Sequence, residues 1–408
     1  MIDSNVEKRI PSRADFAFLA RLPGFGSHTG AKLREHADWP QGWLAALPPR
    51  LSASLRLWCE RPTSSPLYQQ VMADLEWHSP AYGCYLLTPA DPEWPAMLDT
   101  LPDPPLTLWA LGRCELLELP QLAIVGARKA SQAGLAHAHE FAGELVRRGW
   151  SVASGLALGI DAAAHQGALS AAARLSDDDF PARPSTLAVL GCGVDVTYPA
   201  QHHHLRQRLL DSGGLLLSEH PPGTGAHARH FPRRNRLITG LSHGVLVVEA
   251  TLRSGSLVSA RLAMEQNREV FALPGRIEDI ASSGCLELIR QGATLVRNVD
   301  DMLAELNHLM PEAVMAEGYS VVPRQKRNPV SRQQPLTHAM TQELPSLASP
   351  SLPGVKEASP LCFLGAIPTA LDQLVELSGS HVSELSMQLL ELELEGKAVQ
   401  APGGWKRI

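Results

Sequence analysis

The densest group of reactive side chains lies between Glu219 and Glu249. No Asp or Glu occurs between them, while Arg229, Arg233, Arg234 and Arg236 do, together with four histidines. Guanidinium groups at this density hold phosphate oxygens, and Phe231 among them offers a face on which a base can stack. Taken alone, the same residues read equally well as a helix-start staple and a solvated cationic face. Other loops tip the balance toward an anion. Ser154-Gly155 and Ser254-Gly255-Ser256 follow short apolar runs and lead into helical stretches, and Gly126-Ala127-Arg128 follows another. Glycine lets backbone N–H groups approach an anion, and a helix N-terminus adds partial positive charge.

Other chemistries fit poorly. A dinucleotide site needs G-x-G-x-x-G after the first strand, where this chain has Gly126-Ala127-Arg128. A P-loop needs Gly-Lys followed by Ser or Thr, and Gly396-Lys397 is followed by Ala398. Asp161 and His165 share a helical face and could form an acid–base dyad, although such a pair is more commonly a capping interaction. His202-His203-His204 point different ways on a helix and make a poor metal ligand set, and Asp177-Asp178-Asp179 read as a solvated loop. No G-x-S-x-G elbow appears. The residues therefore predict no cofactor and no metal.

The elements that must position these groups are legible as alternation. Short apolar runs at Leu122–Val125, Ser151–Ala153, Leu187–Leu190, Leu215–Leu217, Val245–Val248 and Val270–Leu273 predict strands buried on both faces. Helical patterns at Ser131–Arg148, Ile160–Ala173, Gln201–Leu210, Arg233–Leu241 and Leu257–Gln266 separate them. The fold class expected is α/β, a Rossmann-like doubly wound parallel sheet whose strand carboxyl ends carry the site.

At 408 residues and 44% hydrophobic content the chain has material for two to three domains. The expected division is a helical domain over 1–84, the Rossmann-like domain over 85–306, a Pro/Ser/Gln-rich linker over 307–358 and a compact module over 359–408. Lys+Arg 36 against Asp+Glu 42 gives −6, which excludes a protein that coats nucleic acid by bulk charge but not a local basic edge. The six cysteines form no C-x-x-C pair, and no apolar run is long enough to span a bilayer, so a cytoplasmic protein is expected.

Six segments resemble one family in order and spacing: V-G-A-R (125–128), S-G-L-A-L-G-I-D-A-A-A-H-Q-G-A-L (154–169), V-L-G-C-G-V-D-V-T-Y-P (189–199), F-P-R-R-N-R-L-I-T-G-L-S (231–242), V-E-A-T-L-R-S-G-S-L-V-S-A-R (248–261) and F-A-L-P-G (271–275). Together they identify the chain as similar to the DprA/Smf family of DNA-processing proteins of natural transformation, over about 85–306. The resemblance implies a non-enzymatic homodimer that binds and protects incoming single-stranded DNA and loads the RecA recombinase onto it, with single-strand-binding protein as a further partner. It carries phosphate contacts onto Gly126, Arg128, Ser154, Gly155, Arg233, Arg234, Asn235, Arg236, Ser254, Gly255 and Ser256; Arg229 and Phe231 join them on the residue chemistry alone. Where relatives can carry a basic residue after Tyr198-Pro199, this chain has Ala200-Gln201-His202.

The flanking modules fit the same picture. Leu22-Pro23-Gly24-Phe25-Gly26 before Gly30-Ala31-Lys32-Leu33 resembles a helix–hairpin–helix, in a domain that the family builds as a sterile-alpha-motif-like unit. The last module resembles a winged helix with helices over 369–377 and 382–395 and a wing over 397–407. Its second helix carries Glu384, Glu391, Glu393 and Glu395 without Lys or Arg, so it is not expected to enter a DNA groove. The rival function is a nucleotide- or nucleoside-phosphate hydrolase using Glu219 or Glu249.

Overall fold

The computed structural model describes residues 11–36, 38–176 and 182–306, and beyond them Leu374, Leu389 and the segments 398–401 and 404–407. The Asp177–Asp179 loop, the linker and most of the winged-helix module lie outside the described residues. The chain forms two compact units, residues 1–326 and 327–408. In the second, Ala398–Ala401 pairs antiparallel with Gly404–Arg407, and the described Leu374 and Leu389 are helical and buried.

The first unit opens with helices α1 (Arg13–Arg21), α2 (Ser27–His36), α3 (Gln41–Ala46), α4 (Pro49–Glu60) and α5 (Tyr68–Trp77). Ser12 starts α1 through a capping box: its hydroxyl accepts from the Asp15 amide, and the Asp15 carboxylate accepts from the Ser12 amide. Phe18 stacks on Trp58 with ring centres 4.7 Å apart, and Trp39, Trp43 and Phe25 complete the aromatic core. In the hairpin Leu22–Gly26, Leu22 and Phe25 are buried in this core.

A nine-stranded sheet follows, built of β1 (Cys84–Leu87), β2 (Leu108–Gly112), β3 (Gln121–Val125), β4 (Ser151–Ser154), β5 (Thr186–Leu190), β6 (Leu215–Ser218), β7 (Gly244–Val247), β8 (Glu269–Ala272) and β9 (Thr294–Leu295) in the order β1-β2-β6-β5-β4-β3-β7-β8-β9. The six runs read from the sequence are β3 to β8, all parallel. The structure adds β1 and β2, which pair antiparallel at one edge, and the two-residue β9 at the other. These strands lie toward the sheet margins and are only partly buried, so they lack the doubly buried apolar signature of a central strand. The chain winds from β3 outward to β6, then returns to place β7 on the other flank of β3. That reversal creates the crevice in which doubly wound sheets bind ligands.

The remaining helices are α6 (Gln132–Arg147), α7 (Ile160–Ala172), α8 (His203–Asp211), α9 (His230–Gly240), α10 (Ser256–Glu265), α11 (Ser283–Arg290) and α12 (Val299–Leu306). In α6, buried Ala138, Phe141, Ala142, Leu145 and Val146 recur at helical spacing and form the stripe that covers the sheet. Residues of α6, α7 and α12 cover Leu122, Ile124, Val152 and Leu246 on one face. Leu237, Ile238, Ala260 and Cys285, from α9, α10 and α11, cover Ala123, Val125, Val189 and Val247 on the other. Trp109 and Leu216, near the β1 edge, share a core with the N-terminal helices. Helix α9 begins three residues earlier than the sequence pattern predicts, because Pro232 is tolerated in a first turn where no amide partner is required. Phe231 is thereby fixed on a helix rather than carried on a loop.

Candidate nucleic-acid interface

The parallel strands end along one edge, so the loops after β6, β5, β4, β3 and β7 stand side by side in that order. At the usual spacing of parallel strands these five loops span on the order of 19 Å. The loop after β3 is held by its neighbours: the Ala127 amide donates to Glu249 O at 2.8 Å, and the Ile160 amide donates to Ala127 O at 3.2 Å. Gly159, at φ +77°, makes the turn against which Ala127 and Arg128 pack; a side chain there would overlap both carbonyls. Arg128 is left exposed at the rim.

Ser154 and Gly155 lie beneath this rim, and their polar groups are committed inside the protein. The Ser154 hydroxyl is buried and donates to Ile124 O at 2.7 Å. The amides of Gly155 and Ala157 donate to Asp161 Oδ2 at 3.1 and 3.4 Å, and the Leu156 amide donates to His165 Nε2 at 3.3 Å. His165 Nδ1 lies 2.7 Å from Thr186 Oγ1, whose hydroxyl donates to Val152 O. This network assigns the neutral Nδ1–H tautomer, and burial pushes the imidazole down to about 3. The Asp161–His165 pair is therefore a clamp that closes the β4–α7 turn, not an exposed acid–base dyad. Sequence spacing brought the two side chains to one face; only the turn's folding shows that they face its own amides.

The four arginines separate into two kinds. Arg234 is buried: Nη1 donates to Gly155 O at 2.7 Å and to Val189 O, and Nε donates to Asn235 Oδ1 at 3.1 Å. Burial works against its charge and Asp161 works for it. Arg236 is buried too, paired with Glu219 and with Asp103. Arg229 and Arg233 are exposed, and Arg233 Nη2 reaches Ser27 Oγ at 3.4 Å, beside the start of α2. Asn235 is half-buried and oriented by Arg234.

Phe231 sits at the centre of the edge. Its ring lies on the loop after β5, where a Cβ at Gly191 would come within 3.0 Å of it, so only glycine gives this approach without displacement. The Arg234 guanidinium carbon is 5.9 Å from the ring centre. The exposed Tyr198 ring stands 5.0 Å from it at 35°. Tyr198 was missed among the candidate residues, although its place in the 189–199 segment and its step before a proline were visible signals. His202 Nδ1 lies 2.9 Å from Leu156 O.

On the far flank, Ser254 Oγ and Ser256 Oγ are 2.7 Å apart, and the Ser256 amide donates to Ser254 Oγ at the start of α10. Gly255 is exposed with open space around it. Glu249 is engaged as well: both carboxylate oxygens accept from Ser131, Oε2 from its amide at 2.9 Å and Oε1 from its hydroxyl. Ser131 in turn accepts from the Gly134 amide to cap α6. Replacing Glu249 with glutamine is expected to lower stability by about 1–2 kcal/mol, through loss of charge-assisted bonds at a helix N-terminus; urea unfolding would measure it. A carboxylate waiting for a hydrolytic water would instead show little change in stability. Among the described residues no group of three or more His, Cys, Asp or Glu is placed to hold a metal ion. No described helix is long and apolar enough to cross a membrane.

Comparison with known proteins gives a consistent pattern. The family described as DNA recombination-mediator protein A matches residues 85–307, and the family described as DprA winged helix domain matches residues 345–404. Protein Smf of Escherichia coli K12 is 40% identical over 326 residues, covering 79% of this chain and 77% of that protein. DNA processing protein DprA of Streptococcus pneumoniae R6 is 42% identical over 216 residues, covering 52% of this chain and 71% of that one. The crystal structure of DprA from Streptococcus pneumoniae superposes with a TM-score of 0.56 at 31% identity, covering 72% of this chain and 98% of that one.

Proposed function

The chain belongs to the DNA recombination-mediator protein A family, and on that footing we propose that it binds single-stranded DNA along the edge formed by the loops after β6, β5, β4, β3 and β7. The observation that carries the reading is the half-buried Phe231 fixed on α9 at an edge whose loops also bear the exposed cations Arg128, Arg229 and Arg233. A flat face flanked by charges suits a strand whose bases are unpaired and free to stack, whereas a duplex keeps its bases inside. Arg128, Arg229, Arg233, Phe231 and the Gly126 and Ser254–Ser256 turns contact the strand. Ser154, Gly155, Arg234, Asn235 and Arg236 hold the shape of the edge from beneath. The protein acts as a binder, not an enzyme, and as a homodimer that hands its strand to RecA, from which single-strand-binding protein is displaced, during the uptake and recombination of DNA.

Gel-shift titrations of single-stranded and double-stranded oligonucleotides across salt test this reading. Affinity for the single strand should be higher and should fall with salt, by a slope of about −0.7 for each phosphate neutralised. Arg128→Ala should weaken binding to all sequences alike and reduce that slope by about 0.7. Salt-independent binding, or equal affinity for duplex, would remove the assignment. For the hand-over, RecA assembly on strands covered by single-strand-binding protein should be faster when this protein is added; an unchanged rate would count against loading.

A further inference from the structure

Beside Phe231 lies a cluster that the phosphate-gripping arginines do not account for. The rings of His220 and His230 stack with centres 3.9 Å apart and 24° between planes, and His227 stands edge-on to His230 at 5.1 Å. His220 follows β6, while His227 and His230 lead into α9, so the fold brings together two segments separated by the loop 221–226. His230 Nδ1 lies 3.2 Å from Gly191 O. As the donor of that bond, Nδ1 keeps the proton of the neutral ring, and Nε2 is left with a lone pair.

The surroundings of the cluster are cationic. Apart from burial, the charges of His230, Arg233, His227 and Arg236 disfavour a proton on His220, and those of His227, Arg229 and Arg233 disfavour one on His230. The nearby carboxylates are already engaged: Glu219 and Asp103 pair with Arg236, and Asp195 from the loop after β5 accepts from the Gly223 amide at 2.9 Å. Burial is the largest cause: it pushes His220 down to about 4 and holds His230 below its ordinary value as well. The free protein thus holds His220 and His230 below their ordinary values among arginines, an arrangement that takes up a proton more readily when an anion arrives.

We propose that His220, His227 and His230 form a phosphodiester subsite that binds the strand's backbone next to the base stacked on Phe231 and takes up a proton as it does so. This rests on the single-stranded DNA reading above. A phosphate set against the cluster reverses the local sign of charge, and the His230 Nε2 that carried a lone pair becomes a second donor. Because the stacked rings repel each other's charge, the pair takes up about one proton, not two. The sign follows from linkage. Histidine pKa values are low in the free protein and raised in the complex, so binding strengthens as pH falls through the raised value and levels off below the free-state value.

The test is calorimetric titration of the full-length protein with oligothymidylate in chelator-containing buffers of different ionisation enthalpy, between pH 6 and pH 8. Expected are an uptake of about one proton near pH 6.5 and an affinity about threefold to tenfold higher at pH 6 than at pH 8. In H220Q/H230Q the uptake should vanish and the pH 6 affinity should fall to roughly the pH 8 value. If the double variant folds poorly, H230Q alone should lower the uptake, because it removes the Nε2 that becomes the second donor. H203Q/H204Q, on the neighbouring helix α8, should keep the uptake. Salt-dependent binding without proton uptake, or uptake that survives H220Q/H230Q or disappears in H203Q/H204Q, overturns the subsite and leaves the DNA reading standing. Absence of binding at every pH overturns both.

Discussion

Arg234→Ala is expected to destabilise the protein by about 3–6 kcal/mol, from the loss of two buried hydrogen bonds made by a charged donor, at about 1.5–3 kcal/mol each. The guanidinium favours the charge of the buried Asp161 carboxylate, and it also donates to the carbonyls of Gly155 and Val189. Its loss takes the favouring cation from a desolvated carboxylate, which keeps only its local bonds such as those from the Gly155 and Ala157 amides, and takes a charged donor from two carbonyls. The penalty should depend on pH with a definite sign. Burial already raises Asp161 above its ordinary 3.8, and removing the arginine raises it further. A carboxyl whose folded pKa exceeds its unfolded value destabilises the fold as pH rises through that window, so the deficit should be greatest at neutral pH and shrink as pH falls toward 3.8. Urea unfolding at two pH values measures it. Asp161→Asn in the Arg234→Ala background should recover part of the stability and abolish the pH dependence. Arg128→Ala, at the exposed rim, should leave the unfolding curve where it is. Equal stability losses in the two variants would contradict the division of the arginines into supporting and contacting groups.

The second large effect concerns the stacking face. Phe231→Ala should weaken binding of single strands by about 1–3 kcal/mol, roughly fivefold to 150-fold, while the slope of affinity against salt stays at the parent value. Stacking and charge neutralisation are separable because only the second releases counterions. Phe231→Trp should bind nearly as well as the parent, since an indole offers at least as large a face. Tyr198→Ala should show the same pattern at smaller amplitude, because the Tyr198 ring stands beside the central ring, 5.0 Å from it, and extends the face rather than forming it. Fluorescence anisotropy with a labelled oligonucleotide reads all three. A salt slope that changes in Phe231→Ala, with affinity lost only at low salt, would mean that the ring positions arginines rather than a base.

Much of the architecture was legible before the structure. The central strands are doubly buried and therefore written as unbroken apolar runs, and α6 is an amphipathic helix whose stripe repeats at helical spacing. The start of α9 was misplaced because Pro232 reads as a boundary, although a first-turn proline needs no amide partner. Residues Gly126 to Arg128, Ser154 to Gly155, Phe231 and Ser254 to Ser256 do gather on one edge, as the alternation of strands and helices required. What the spacing could not reveal is the fate of each polar group there. Asp161 and His165 had the spacing of a catalytic pair and serve a turn; Ser154 had the chemistry of a phosphate ligand and holds the carbonyl of a neighbouring strand.

The same distinction governs the charges. The residue order alone determined that an overall net of −6 conceals a segment without acids and with four arginines, and that this segment belongs at the ligand-binding edge of a doubly wound sheet. Composition and periodicity are local properties, and they suffice for that. Only the tertiary structure decided that Arg234 and Arg236 lie inside while Arg128, Arg229 and Arg233 face solvent. The reason is desolvation: a guanidinium can be buried only where the fold delivers acceptors to it. Those of Arg234 come from Gly155 and Val189, 79 and 45 residues away along the chain.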